Sequence, residues 1–156
     1  MTPSAGSSLS TAAAASSEAG ASTPLDSALP SRGQNLCRLV DVTELSAARR
    51  GQFSVSVLTQ DEEILRAHQP RLRKLGIEPN GEAWSGILQQ CAGRTTKPED
   101  QLPHGANFDP ESGSFAVYVN SRADADRMRA IICRALDDEA WLDRCLKSIN
   151  RSMLDD

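Results

Sequence analysis

Aromatic side chains are scarce in this 156-residue chain: three Phe, two Trp and one Tyr. None falls in the first 33 residues, which are dominated by Ser, Ala, Thr, Gly and Pro and carry one base, Arg32. A segment so poor in apolar surface cannot offset the entropy of ordering its backbone. Residues 1–33 are therefore expected to be a disordered leader, and residues 34–156 a single domain able to bury its own core. Long apolar runs are missing too, and nothing approaches the roughly 20 residues that span a bilayer. No Lys or Arg stands near Met1, and Thr11 to Ala15 is too short and weakly apolar to form the core of a secretory signal. The expected compartment is the cytoplasm, with no membrane partner.

Histidine is nearly absent, with only His68 and His104. The four cysteines, Cys37, Cys91, Cys133 and Cys145, show no C-x-x-C spacing. Without ligand spacing a zinc site has no basis, and no metal or cofactor is expected. Each cysteine occupies an apolar-periodic position. The sequence alone therefore predicts four small buried hydrophobes rather than a disulfide framework. The glycines at 76, 81 and 86 make no dinucleotide loop, and Ser112-Gly113-Ser114 is no nucleophile elbow. Asp124, Asp126 and Asp137-Asp138-Glu139 lack the spacing and central Gly of a calcium loop. Net charge is −4 with mixed signs, which argues against nucleic acid as the partner.

What is present is alternation. Phe53, Val55 and Val57 lie on one face of Gln52–Thr59 and Ser54 and Ser56 on the other, the period-2 signature of a half-buried strand. Asn35–Thr43 also reads as a strand. Ala106–Phe108 and Ser114–Asn120 read as a hairpin whose turn holds Asp109, Pro110 and Glu111, with Gly113 free to take a left-handed conformation. Four stretches have helical spacing. Asp61–Leu75 carries Ile64, Leu65, His68 and Leu72, with Pro70 predicting a kink or a split into two helices. Its His68 reads as a half-packed face residue, and Gly76 ends it. Asn80 caps the next helix, whose Trp84, Ile87, Leu88 and Cys91 make one stripe. Arg94–Pro103 reads as a surface loop. Ser121 starts a helix striped with Ala125, Met128, Ile131, Ile132 and Leu136, on which Arg127, Arg129 and Arg134 read as exposed charges. Trp141, Leu142, Cys145, Leu146, Ile149 and Met153 mark the last helix. The order of elements predicts an α+β domain: a mainly antiparallel four-stranded sheet with helices packed on one face.

The candidate chemistry is thin. Asp109 and Glu111 are carboxylates close together in sequence, and such pairs can divide acid and base roles. Turn formation explains Asp109 by itself. An acidic contact on a rigid hairpin is the better use of the pair.

The segments Asn80-Gly81-Glu82-Ala83-Trp84 and Phe108-Asp109-Pro110-Glu111-Ser112-Gly113-Ser114-Phe115 resemble the polymorphic-toxin immunity proteins called immunity protein 51. In that family an N-G-x-x-W helix start precedes an F-D-P-E-x-x-x-F hairpin. The resemblance covers about residues 36 to 136 of this chain. It implies a bacterial protein that binds and neutralises a cognate secreted toxin, without catalysis or cofactor. Asp109 and Glu111 become the expected toxin contacts; Asn80, Gly81, Trp84, Phe108, Pro110 and Phe115 become structural motif residues. Two alternatives stand beside it: a non-catalytic adaptor or regulatory domain, and a small hydrolase using His104, Asp109 and Glu111.

Overall fold

The computed structural model describes residues 35–154. The leader expected over 1–33 and the terminal Asp155 and Asp156 lie outside the described residues. Four strands, β1 (Asp41–Glu44), β2 (Phe53–Leu58), β3 (Asn107–Glu111) and β4 (Ser114–Val119), make one sheet of order β1-β2-β4-β3, antiparallel throughout. The helices are α1 (Glu62–Lys74), α2 (Gly81–Arg94), α3 (Arg122–Asp137) and α4 (Glu139–Ser148). The α+β architecture is the one the alternation predicts.

Sidedness follows from the strands. Phe53, Val55 and Val57 on β2 pair with Val119, Val117 and Phe115 on β4, and all six are buried. That face lies under the helices. Helices α2 and α3 supply the opposing wall through Trp84, Ile87, Leu88, Met128, Ile131 and Ile132. Helix α1 joins through Ile64, His68 and Leu72, and α4 through Leu142 and Leu146. Each helix start is capped by a side chain accepting a backbone N–H: Asp61, Asn80, Ser121 and Asp138. No helix among the described residues is long and apolar enough to cross a membrane.

Several local expectations are corrected. Leu36–Leu39 is a 3₁₀ turn, and the strand begins only at Asp41. The turn is set from far away: the Asp137 carboxylate accepts the Leu36 and Cys37 N–H groups at 2.7 and 3.1 Å. Pro70 does not split α1, which runs as one helix because Ile64, His68 and Leu72 anchor it on both sides of the proline. The hairpin turn is shorter than expected. Asp109, Pro110 and Glu111 are strand residues paired with Ala116, Phe115 and Ser114, and Gly113 is not among the left-handed glycines. Proline fits there because β3 is an edge strand and needs no N–H on its outer side. Gly76, with φ +78°, does end α1 as expected. Met153 lies beyond α4 and is exposed.

The expectation of unpaired cysteines fails, although Cys145 is buried in the core. Cys37 bonds Cys133 and Cys91 bonds Cys145, with Cα–Cα distances of 4.6 and 5.6 Å, and no described cysteine is free. Both distances lie in the range a disulfide spans. The apolar-periodic positions are real, but Cys37, Cys91 and Cys133 are only half-buried. They sit at seams between elements, where two sulfurs can meet.

Arg94–Pro103 is also more than a surface loop. It contains a 3₁₀ turn, Pro98–Asp100, whose Asp100 is 5% exposed and pairs with Arg134 of α3. Arg134 is thus an ion-pair partner rather than a free charge. Arg129 likewise donates to the Cys37 carbonyl at 3.1 Å.

Candidate functional site

The two motif segments, far apart in sequence, meet in space. Asn80 accepts the Ala83 N–H at 2.8 Å and starts α2. Gly81, the first residue of that helix, lies directly under the β3–β4 hairpin, and its N–H reaches the Ser112 carbonyl at 3.4 Å. A Cβ at Gly81 would overlap the carbonyl oxygens of Glu111 and Ser114. One turn further, Trp84 is 2% exposed, and Phe115 beside it in the core is equally buried. Phe108 is half-buried on the core face, opposite Val117. These motif residues therefore build a joint between the helix layer and the hairpin.

On its other side the sheet carries no helix among the described residues. Register sorts its residues into rows. Asp41, Ser56, Ala116 and Asp109 cross all four strands in one row. Thr43, Ser54, Tyr118 and Asn107 make a second, and Leu58, Ser114 and Glu111 a third. At a strand spacing of about 4.8 Å, a full row is about 14 Å wide. Its centre is made of small side chains, Ser54, Ser56, Ser114 and Ala116, with Tyr118 the larger exception. Carboxylates stand at both margins, Asp41 on β1 and Asp109 and Glu111 on β3, and no strand residue of this face is basic. Leu58, in the third row, is 66% exposed. A shallow depression of about 300 Å³ lies among Asp41, Leu58, Asp109, Glu111 and Tyr118. A two-residue spacing puts Asp109 and Glu111 on the same face, which a turn would not have done.

The residues of the hydrolase alternative do not assemble. His104 is exposed and precedes Gly105, where an added Cβ would stand 3.3 Å from Asn120 Nδ2, just past the end of β4. Glu111 pairs with Ser114 at the opposite end of that strand, on the order of 17 Å away by strand rise. His68 is not half-packed but 1% exposed. Its Nε2 lies 2.8 Å from the Leu136 carbonyl and its ring meets Trp84 edge-on, with centroids 5.3 Å apart. Burial pushes its pKa below the ordinary value, against the smaller opposing pull of that carbonyl. Its Nδ1 has no partner among the described residues, and the void beside Trp84 has no room for a water molecule. His68 is a core residue that holds α1 to α3. Among the described residues, no cluster of three His, Cys, Asp or Glu side chains could hold a metal.

A cleft of about 620 Å³ lies between the C-terminal ends of α1 and α4. Its cations have local work. Arg71 bridges Glu139 at 3.3 Å and Asp143 at 3.1 Å, and Arg151 donates to the Leu75 carbonyl. Lys74 and Lys147 sit in the last turns of α1 and α4, where positive charge offsets the helix dipole. This cleft is a structural seam.

No family model, no curated protein and no solved structure matches this chain.

Proposed function

We propose that this chain is an immunity protein that binds one cognate secreted toxin and blocks it by occlusion, with no turnover of its own and no cofactor. The observation that carries the reading is the open sheet face, a platform about 14 Å across with carboxylates on both margins and no base on its strands. Occlusion needs a rigid surface of defined charge, and a surface hydrogen-bonded into a sheet costs little to order on binding. The motif joint supports the reading from below, because it fixes the hairpin that presents Asp109 and Glu111. The partner this face suits is a basic toxin surface, with the three carboxylates steering encounter and Leu58 and Tyr118 supplying apolar contact.

The test is co-expression with the toxin encoded beside this chain, together with a binding measurement across salt concentrations. Protection of the cells and a salt-sensitive association rate are expected. Reversing Asp109 and Glu111 to Lys should slow association and flatten its salt dependence while leaving the fold intact. Failure to protect, or failure to associate at micromolar concentration, ends the immunity reading. Protection with an unaltered rate in the double reversal moves the binding face elsewhere.

A further inference from the structure

We propose that this domain matures and acts in an oxidising compartment. It follows, resting on the immunity reading above, that the toxin it meets acts in the cell envelope or beyond it rather than in the cytoplasm. The cytoplasmic expectation came from the lack of a recognisable secretory signal and of a membrane span; the structure adds that all four described cysteines are paired.

The sites are built for oxidation by contacts that do not need the bonds. The Leu36–Leu39 turn is held on α3 by the Asp137 carboxylate and by Arg129, which together bring Cys37 beside Cys133. Near Cys91, Gln90 of α2 exchanges hydrogen bonds with Asn150, two residues past the end of the helix that carries Cys145, at 2.7 and 3.1 Å. Each pair then closes by one two-electron step. A thiolate of the pair attacks the disulfide of a protein oxidant and forms a mixed disulfide. The second thiolate displaces the oxidant, which leaves as a dithiol carrying the two electrons and two protons.

The bonds would not survive in a reducing compartment. Three of the four cysteines are half-exposed, and an open depression adjoins each bond. Arg94 and Arg144 line the second depression without a carboxylate, whereas Asp126, Asp137 and Asp138 stand with Arg129 and Arg134 in the first. Arginines beside the accessible Cys91–Cys145 bond draw in anionic thiols such as glutathione. Cytosolic thiol pools keep such bonds open, whereas oxidising compartments keep them closed.

The experiment uses the full chain in its own cell. Thiols are trapped in intact cells by acid quenching and alkylation, and the recovered protein is mapped by mass before and after reduction. No cysteine should be alkylated before reduction, all four should be alkylated after it, and cross-linked peptides should join Cys37 to Cys133 and Cys91 to Cys145. Alkylation of all four without reduction overturns the proposal. In parallel, the neighbouring toxin is directed to the cytoplasm or to the envelope of cells that carry this chain in the same place. Protection confined to the envelope is expected. Free thiols with protection in the cytoplasm would sink the compartment and leave immunity standing. Closed bonds with protection in neither place would sink immunity and leave the compartment standing.

Discussion

Gly81→Ala is the sharpest perturbation the structure offers. The added methyl would stand 2.7 Å from the Ser114 carbonyl carbon and overlap the oxygens of Glu111 and Ser114. Carbon atoms in contact sit about 3.5–4.0 Å apart, so helix and hairpin would have to separate by roughly 1 Å. Neither side yields cheaply. Both neighbours are backbone, the hairpin is fixed by its register, and α2 is fixed by Asn80 and Trp84. Overpacking of this kind costs about 1–3 kcal/mol and more where backbone must move. Alanine returns less than about 1 kcal/mol in helix propensity. A net loss of about 2 kcal/mol is expected. With a urea slope of roughly 1.5 kcal/mol per molar, the midpoint should fall by about 1.3 M. Two controls separate the contact from the residue type. At Gly113 an added Cβ meets only Gln60 Cγ at 3.5 Å, an ordinary contact, so Gly113→Ala should stay within about 0.5 kcal/mol. At Gly93, inside α2, nothing lies within 4 Å, and alanine should stabilise by up to about 1 kcal/mol. An unchanged midpoint for Gly81→Ala, with an unchanged slope, would refute the joint between the two motifs.

Three further outcomes are expected. The His68 pKa is lowered in the fold, so the unfolded chain takes up the proton first as pH falls. Stability should be complete above about pH 6.5 and decline below it, by at most about 1.4 kcal/mol per pH unit. Arg71, Glu139 and Asp137 modulate that loss. Urea titrations from pH 8 to 5 would show it, and the decline should lessen in His68→Gln. Replacing both Cys91 and Cys145 by Ala opens a loop with a sequence separation of 54. This should cost about 4 kcal/mol from restored chain entropy, less whatever the other bond already constrains. Unfolding without reductant would then report the single remaining bond, and reductant should lower stability only by the share of Cys37–Cys133. Arg134→Met strands the buried Asp100 carboxylate and should cost about 2 kcal/mol, the discount reflecting the partial exposure of the arginine. Asp100→Asn in the same chain should recover part of that loss in thermal unfolding.

The sheet's centre is legible in the sequence because it is encoded locally. Alternation over Phe53–Val57 and Phe115–Val119 admits one arrangement, and the stripes of α2 and α3 admit another. What escapes a reading of the sequence depends on distant partners. Leu36–Leu39 carries the apolar content of a strand, yet a carboxylate a hundred residues away turns it into a 3₁₀ turn. The burial of Asp100 depends on Arg134, which nothing near Asp100 announces. Pro110 looks like punctuation because a proline in an edge strand and a proline in a turn read alike until the pairing is known. Asp109 and Glu111 read as an acidic pair on a loop. The register turns them into one margin of a larger face, whose opposite margin, Asp41, has no local signal to mark it. Cysteine periodicity points to the right positions and the wrong chemistry, since a half-buried stripe position serves a hydrophobe or a bridge equally well.

The two disulfides cross. Cys37 joins the third cysteine of the chain and Cys91 the fourth. During synthesis, or threading through a membrane from the N-terminus, Cys37 and Cys91 arrive before the other two, and neither is the other's partner. Cys37 must wait 96 residues for Cys133, and Cys91 must wait 54 for Cys145. An oxidant that acts on whatever thiols are at hand would join Cys37 to Cys91 and leave Cys133 for Cys145. That isomer closes two separate rings and lacks the bond that joins the Leu36–Leu39 turn to α3. Reaching the native pairing then requires thiol exchange after the whole chain has arrived. The yield of active protein should therefore follow the supply of disulfide isomerase more closely than the supply of oxidant.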